Sequence, residues 1–237
     1  MSEKKIIAII DYEMGNTGSV ENAVRQLNCK PIVTRKASDI DRADKIILPG
    51  VGSFRMGIQN LNKFKLITLL EKNIFKQGKP VLGICLGMQL FANIGYEDGL
   101  CDGLGWIPGI VQRIPDNNLR IPHIGWNNIL LRDKSILFSN LTNNFDFYFI
   151  HSYYYHSHDN SIVKAMCEYG LEFPSVIQKN NIFGMQFHPE KSHRNGLLIL
   201  YNFLHGKDGY MEKDSLQVID NILSNALSDD RLHNSKR

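Results

Sequence analysis

The stretch Pro80-Val81-Leu82-Gly83-Ile84-Cys85-Leu86-Gly87-Met88-Gln89 decides the reading of this chain. Val81 to Ile84 is a short apolar run, the pattern of a strand buried on both faces. A glycine stands on each side of the Ile84-Cys85-Leu86 tripeptide, and Leu86 starts a segment of helical character that the pattern carries to Ile94. Strand, tight turn and helix in that order form a nucleophile elbow, with cysteine in the reactive position. The turn presents the sulfur, and the flanking glycines let neighbouring backbone approach without a Cβ. The helix points its free N–H groups and positive end at the sulfur, which favours thiolate over thiol. The Leu86 N–H is also placed to donate to an oxyanion. A buried packing cysteine between two glycines remains the alternative at this point.

The segments around the elbow repeat its architecture. Ile6 to Ile10, Pro31 to Thr34 and Lys45 to Leu48 read as strands, the last stopped by Pro49-Gly50. Between them, Ser19 to Leu27 carries Val20, Ala23, Val24 and Leu27 at helical spacing, and Ser38 to Asp41 starts a helix or turn. A longer helix is predicted from about Met56 to Gln77. Alternating apolar strands and helices joined by short loops predict an α/β fold: a mostly parallel central sheet flanked by helices. Ligands of such sheets bind at the carboxyl ends of the strands, which selects the loops at Asp11 to Gly18, Pro49 to Phe54 and Cys85.

Beyond residue 105 the texture changes. Ile110–Ile114, Ile124–Leu131, Tyr148–Tyr155, Ile162–Cys167, Ser175–Gln178 and Phe183–Phe187 read as strands between Asn, Asp, Gly and Pro turns. They predict an antiparallel β extension, closed by a helix from Asn195 to Leu204. The division is then a domain over 1–205 and an extension over 206–237. In the extension, Leu216, Ile219, Ile222, Leu223 and Leu227 predict one amphipathic helix ahead of a frayed end.

The 237 residues suffice to bury a core without staples, and 43% hydrophobic with 22% charged residues excludes a disordered chain. A net charge of +3 without a basic stripe argues against a nucleic-acid partner. No apolar run reaches membrane-spanning length and no signal peptide opens the sequence, so a soluble cytoplasmic protein is expected. Cys29, Cys85, Cys101 and Cys167 lack C-x-x-C spacing, which argues against a zinc ribbon or a disulfide framework. His151, His156 and His158 lie close in sequence, but no carboxylate or cysteine completes a zinc pattern, so neither a metal nor another cofactor is expected.

A reactive thiol needs a base. Gln186-Phe187-His188-Pro189-Glu190 follows a strand-like stretch and supplies one. His188 can take the thiol proton and return it to a leaving amine, while Glu190 holds the imidazole tautomer and stabilises its cation. Residues two apart on an extended segment share a side. A surface histidine with a nearby glutamate is the plain alternative. Pro49-Gly50-Val51-Gly52 ends the neighbouring strand and could offer backbone N–H groups to an oxyanion. It lacks the G-K-[ST] ending of a phosphate loop.

Together and in this order, these elements resemble the class I (triad) glutamine amidotransferases. Further motifs narrow the resemblance to the glutaminase subunits of imidazole glycerol phosphate synthase, the HisH family. They are Asp11-Tyr12-x-x-Gly15-Asn16, Pro49-Gly50-Val51-Gly52-Ser53-Phe54, Gly83-Ile84-Cys85-Leu86-Gly87-Met88-Gln89, His123-Ile124-Gly125-Trp126-Asn127, Tyr148-Phe149-Ile150-His151-Ser152-Tyr153 and Gln186-Phe187-His188-Pro189-Glu190-Lys191-Ser192. The resemblance spans about residues 4 to 205 and implies a flavodoxin-like core. It implies that Cys85, His188 and Glu190 form the catalytic triad, and that the Val51 and Leu86 N–H groups form the oxyanion hole. Gly50, Gly52, Gln89, Glu97, Ser152 and Tyr153 would line the site for L-glutamine. It further implies a heterodimer with a cyclase subunit. That partner is a (β/α)8 barrel that receives the ammonia, faced by Asn16, Trp126, Asn127 and Lys191. Paralogues of this family that supply ammonia to amidate a surface amino sugar share the same triad, so the resemblance leaves that acceptor as the alternative.

Overall fold

The computed structural model describes residues 3–116, 118–141, 145–206, 217 and 219–222. The amino-terminal part alternates as the sequence predicts: β1 (Ile6–Ile10), α1 (Thr17–Gln26), β2 (Lys30–Thr34), α2 (Ala37–Arg42), β3 (Lys45–Gly50), α3 (Phe54–Lys63), α4 (Leu66–Glu71), β4 (Val81–Cys85) and α5 (Leu86–Gln89). Two short strands follow, β5 (Ile94–Gly95) and β6 (Cys101–Asp102). The β-rich part holds β7 (Ile110–Arg113), β8 (His123–Leu131), β9 (Asp146–His151), β10 (Tyr153–His156), β11 (Val163–Glu168), β12 (Glu172–Lys179) and β13 (Ile182–Met185). The helix α6 (His193–His205) closes it.

Among the described residues the main sheet has the strand order β2-β1-β3-β4-β13-β12-β11-β8-β9. Its first five strands are parallel and the remaining pairings antiparallel. A second, small sheet runs β10-β7-β5-β6. Strand residues alternate between two cores. Ile7 and Ile9 face α1 and α6 with Val24, Leu198 and Phe203, whereas Ala8 and Ile10 face Ile40, Leu61, Leu66 and Leu70 on α2, α3 and α4. Both faces of the parallel strands are therefore covered, which is why those strands read as continuous apolar runs.

Four local departures have physical causes. The helix predicted from Met56 to Gln77 is interrupted, because its apolar positions slip by one residue between Leu61 and Leu66. Lys65 absorbs the slip in a left-handed conformation (φ 55°), and a π-helical turn at Lys72–Lys76 follows. The helix after the elbow stops at Gln89 rather than Ile94. The carbonyls of Leu90, Phe91, Ala92 and Asn93 accept from Leu104, Ile107, Gly105 and Gly103 of a returning loop instead of continuing the helix. The stretch Tyr148–Tyr155 is two strands, because β9 pairs with β8 in the main sheet and β10 with β7 in the small one. Finally, β3 runs through Pro49 and Gly50 instead of stopping before them.

Of the extension, residues 217 and 219–222 are helical. Ile219 is fully buried against the core that contains α6, and Asp220 pairs with Arg194 Nε at 2.8 Å. Leu216, Leu223 and Leu227 lie outside the described residues. Among the described residues no helix is long and apolar enough to cross a membrane.

Candidate active site

The elbow forms at the carboxyl end of β4, between the parallel strands β3 and β13. Cys85 adopts φ 53° and ψ −109°, a left-handed conformation that a residue with a side chain rarely holds. Backbone packing enforces it. A Cβ on Gly87 would drive into the Leu48 carbonyl, and one on Gly83 would lie 2.6 Å from the Met88 nitrogen. Glycine is required at both places for close approach, and the result is a thiol that is only 6% exposed yet lines a pocket.

Sheet register brings the base to the thiol. Strand β13 lies beside β4 with Met185 opposite Ile84, so the chain leaving β13 passes the elbow. His188 is anchored to β9 through its backbone N–H, which donates to the Tyr148 carbonyl at 2.9 Å. Glu190 sits in the 3-10 turn Pro189–Lys191 and meets His188 Nδ1 at 2.8 Å. Both side chains are almost fully buried (3% and 2% exposed), so this ion pair is not a solvated surface contact. The Ser192 hydroxyl ties the turn down, donating to the His188 carbonyl and accepting from the Tyr148 N–H.

Burial opposes an imidazolium at His188 and is the largest single influence on it. The hydrogen-bonding and charge of Cys85 and of Glu190 together outweigh burial and push the ring up to about 10. Among the described residues the buried Nε2 makes no well-aligned hydrogen bond. The arrangement can store a proton beside a sulfur nucleophile and deliver it to a leaving group.

These elements satisfy a family description. Residues 8–206 match the family described as "Glutamine amidotransferase class-I". The chain belongs to this family. It is a glutamine amidotransferase, an enzyme that draws nitrogen from the side-chain amide of glutamine. Within the family it is 45% identical over 199 residues to "Imidazole glycerol phosphate synthase subunit HisH 1" of Campylobacter jejuni subsp. jejuni serotype O:23/36 (strain 81-176), covering 84% of this chain and 98% of that protein. It is 47% identical over 200 residues to "Imidazole glycerol phosphate synthase subunit HisH 2" of Vibrio vulnificus (strain YJ016), covering 84% and 93%. The chain therefore belongs to the HisH branch. Solved structures agree in fold. A glutamine amidotransferase from Thermotoga maritima superposes with a TM-score of 0.58 at 17% identity, covering 96% of this chain and 98% of that one. PurLQS from the same organism gives 0.65 at 16%, covering 85% and 98%.

A pocket of about 370 Å³ reaches Cys85. Val51, Gly52, Leu86, Gln89, Glu97, Ser152 and Tyr153, all named from the resemblance, lie on its wall with Ser53, Pro122, Ile150 and His151. Gly50 is the exception. It pairs with Cys85 in register but is buried behind the lining, where a Cβ would strike the Tyr12 hydroxyl. Several lining groups are already engaged. The Val51 N–H donates to the Met14 carbonyl at 2.6 Å. Gln89 Nε2 donates to the Tyr153 carbonyl at 2.8 Å and to Gln186 Oε1 at 3.0 Å. Glu97 Oε2 accepts from the Phe54 N–H at 2.7 Å, at the start of α3. Burial of Glu97 raises its pKa, with the Phe54 N–H partly opposing.

Of the residues that join the site without a sequence assignment, Gln186 and His151 are the ones both polar and buried. Gln186 is fully buried and its Nε2 faces the Cys85 sulfur at 3.6 Å, a placement signalled only by its position two residues before His188. His151 stands out in the sequence only as a candidate metal ligand, and it forms part of the pocket wall.

The four residues expected to face a partner are distributed around the site. Trp126 is 47% exposed, which excludes a core aromatic, and it stacks on His193 at 4.8 Å. Lys191 Nζ lies 6.0 Å from the Tyr148 ring, and Asn16 Nδ2 donates to Ser19 Oγ at the start of α1. Asn127 turns partly inward, donating to the Glu168 carbonyl at 2.9 Å. A larger cavity of about 1310 Å³ opens at the opposite end of the parallel strands, beside Lys45, Pro80, Phe183 and Phe203. It lies on the wrong side of the sheet for the elbow, and size alone does not make it the reaction site.

Proposed function

We propose that this chain hydrolyses L-glutamine through Cys85, His188 and Glu190 and passes the ammonia to a cyclase subunit that makes imidazole glycerol phosphate and aminoimidazole carboxamide ribotide in histidine biosynthesis, in the cytoplasm. The observation that carries the mechanism is the buried His188–Glu190 pair, in the segment that leaves β13 beside the strained Cys85. With its proton on His188, the Cys85 sulfur adds its electron pair to the amide carbon of glutamine, and the C=O π pair moves onto the carbonyl oxygen. As the oxyanion collapses, His188 gives its proton to the departing nitrogen, which leaves as ammonia. A glutamyl thioester remains. His188, now neutral, takes a proton from water, the hydroxide adds to the thioester, and glutamate leaves as the thiol is restored.

Glu97 suits the α-ammonium of glutamine, and Gln89, Ser152 and Tyr153 suit its amino-acid end. The Val51 and Leu86 N–H groups are assigned to the oxyanion. Val51 is bonded to Met14 here, so this reading expects low activity in the isolated chain and a gain when a cyclase frees that donor. Trp126, Asn127, Asn16 and Lys191 are assigned to the cyclase-facing rim. Residues 1–205 make the amidotransferase domain, and 206–237 an extension beyond the family match.

The test is glutamate release from glutamine, measured on the chain alone and with a histidine-pathway cyclase holding its nucleotide substrate. Stimulation by orders of magnitude supports the assignment. No stimulation by the cognate cyclase transfers the same chemistry to an amino-sugar-amidating partner. Cys85→Ala supplies the control: it removes glutamine-dependent synthesis and leaves synthesis from added ammonium salts intact.

A further inference from the structure

His123 and His151 stand directly opposite each other on β8 and β9. Both are buried, at 3% and 6% exposure. Their rings meet edge to face, with His123 Nδ1 3.1 Å from His151 Nε2. His123 is held between the rings of Phe149 and Tyr169, at 4.9 and 4.0 Å. The other nitrogen of His151, Nδ1, lies 2.9 Å from the Tyr153 carbonyl.

The partners determine the protons. A carbonyl oxygen only accepts, so His151 Nδ1 must carry a hydrogen. Burial holds His151 down to about 3 and His123 down to about 4, so both rings are neutral through the working range. A neutral ring has one hydrogen, so His151 Nε2 is an acceptor and His123 Nδ1 must donate to it. His123 Nε2 is then also an acceptor, and it faces Asn127 Nδ2 at 3.4 Å. The amide orientation of Asn127 agrees, since its oxygen accepts from the Asn128 N–H. All donors thus point one way, from Asn127 through His123 and His151 to Tyr153.

The Tyr153 carbonyl is where this line meets the pocket. It accepts from His151 on one side and from Gln89 Nε2 on the other. Gln89 in turn reaches Gln186, whose amide faces the Cys85 sulfur. Ser152, between His151 and Tyr153, is the point at which the chain leaves the main sheet for the small one. There the Ser152 carbonyl is held by the Ile114 N–H at 2.9 Å, and the next carbonyl, that of Tyr153, is held by the side chains of His151 and Gln89.

We propose that His123 and His151 are a positioning pair for the glutamine pocket: neutral imidazoles, both protonated on Nδ1, that fix the Tyr153 carbonyl from which the Gln89 side chain is held. The pair makes no contact with the reacting bond. Its role in glutamine affinity rests on the proposed glutaminase reading, whereas its tautomeric state does not.

Two measurements test it. The first is nitrogen-15 NMR of the histidine-labelled full chain. Both buried rings are expected in the Nδ1–H form, the reverse of the tautomer that free histidine prefers, with no titration between about pH 5 and 8. An Nε2–H signal or a titration in that window at either ring overturns the proposal, whatever the enzyme's substrate. The second is glutamine kinetics of the complex with its cyclase. His151→Phe removes the donor to Tyr153 and is expected to raise KM about tenfold with kcat within about twofold. His151→Asn places an amide N–H where Nδ1 stood and is expected to restore most of the affinity. A KM unchanged in His151→Phe, or raised equally in both variants, overturns the positioning role. If wild-type chain and cyclase release no glutamate, the glutaminase reading falls and the tautomer result still judges the pair.

Discussion

The two halves of the site are built differently. The triad half is finished: Cys85 is forced into its conformation by backbone contacts, and His188 and Glu190 are bonded to each other and pinned by Ser192 and Tyr148. The pocket half is occupied by its own protein. Val51 N–H, Gln89 Nε2 and the Glu97 carboxylate each satisfy a neighbour rather than facing open space. The difference follows from where each half lies. Cys85 ends β4, and His188 and Glu190 lie in the short segment that leaves β13, its neighbour; register between these covered strands leaves one answer. Pocket residues ride on loops, on the end of α5 and on the β9–β10 crossover, whose polar groups find partners locally. A preassembled nucleophile with a self-satisfied pocket is what an enzyme needs if it must not release ammonia before its acceptor is in place.

The largest expected effect probes the finished half. Glu190→Gln removes the charge that holds His188 as an imidazolium and its tautomer in place, and should lower kcat by about 10³–10⁴-fold. The loss should be the same fraction with and without the cyclase, because this half does not change on docking. The titration of His188 checks the same point without turnover. In the native chain its imidazolium should persist to about 10, and Cys85→Ala or Glu190→Gln should each move it down, since burial alone favours the neutral ring. The sign for stability follows. A pKa raised from 6.5 in the fold contributes stability that is complete below about pH 6.5 and is lost as pH rises through about 10. Both variants should flatten that decline in denaturant melts across the alkaline range. A native-like His188 titration in Glu190→Gln would show that the triad half is not the unit described.

A smaller effect separates the halves. Replacing the Gly50–Val51 amide by an ester removes one N–H and almost nothing else. In the isolated chain that N–H is spent on Met14, so the basal rate should hardly move. In the complex it should cost about 10²–10³-fold, the worth of one oxyanion donor. A rate that hardly moves in the complex either would mean that Val51 never exchanges Met14 for the oxyanion, and a large loss in both states would mean that Met14 does not withhold it.

The same division marks what is legible in the sequence. Strand β4, the elbow, and the pairing of His188 with Glu190 follow from apolar runs, glycine spacing and a two-residue offset, all local signals. The parallel core follows from the alternation of strands with helices. The end of α5 at Gln89 is not legible, because it depends on a loop fifteen residues later claiming the carbonyls of Leu90 to Asn93. Nor is the break at Ser152: both strands around it read as one β-rich run, and only the existence of a second sheet divides them. The engagement of Val51 by Met14 is a backbone bond between two loops, for which no residue type gives a signal. Gly50 shows the limit of motif reasoning, since it belongs to the motif and yet serves packing against Tyr12 rather than the pocket surface.

The smallest effect asks whether pocket groups serve both the fold and the ligand. Glu97 accepts from the Phe54 N–H with one carboxylate oxygen and lines the pocket at Cys85. Glu97→Gln keeps an oxygen acceptor for Phe54, so the melting temperature should stay close to that of the native chain. What it removes is a negative charge, and a charge-assisted bond to the substrate ammonium is worth about 1.5–3 kcal/mol, or roughly ten- to hundredfold in KM for glutamine. The effect should depend on pH in one direction. Burial raises the Glu97 pKa, so its carboxylate is lost at a higher pH than an ordinary glutamate as the solution is acidified. Native KM should therefore climb on the acid side sooner than a surface carboxylate would predict, while the KM of Glu97→Gln stays flat there. If the variant instead melts early with an unchanged KM, Glu97 belongs to the start of α3 alone, and the pocket half must bind the ammonium with some other group.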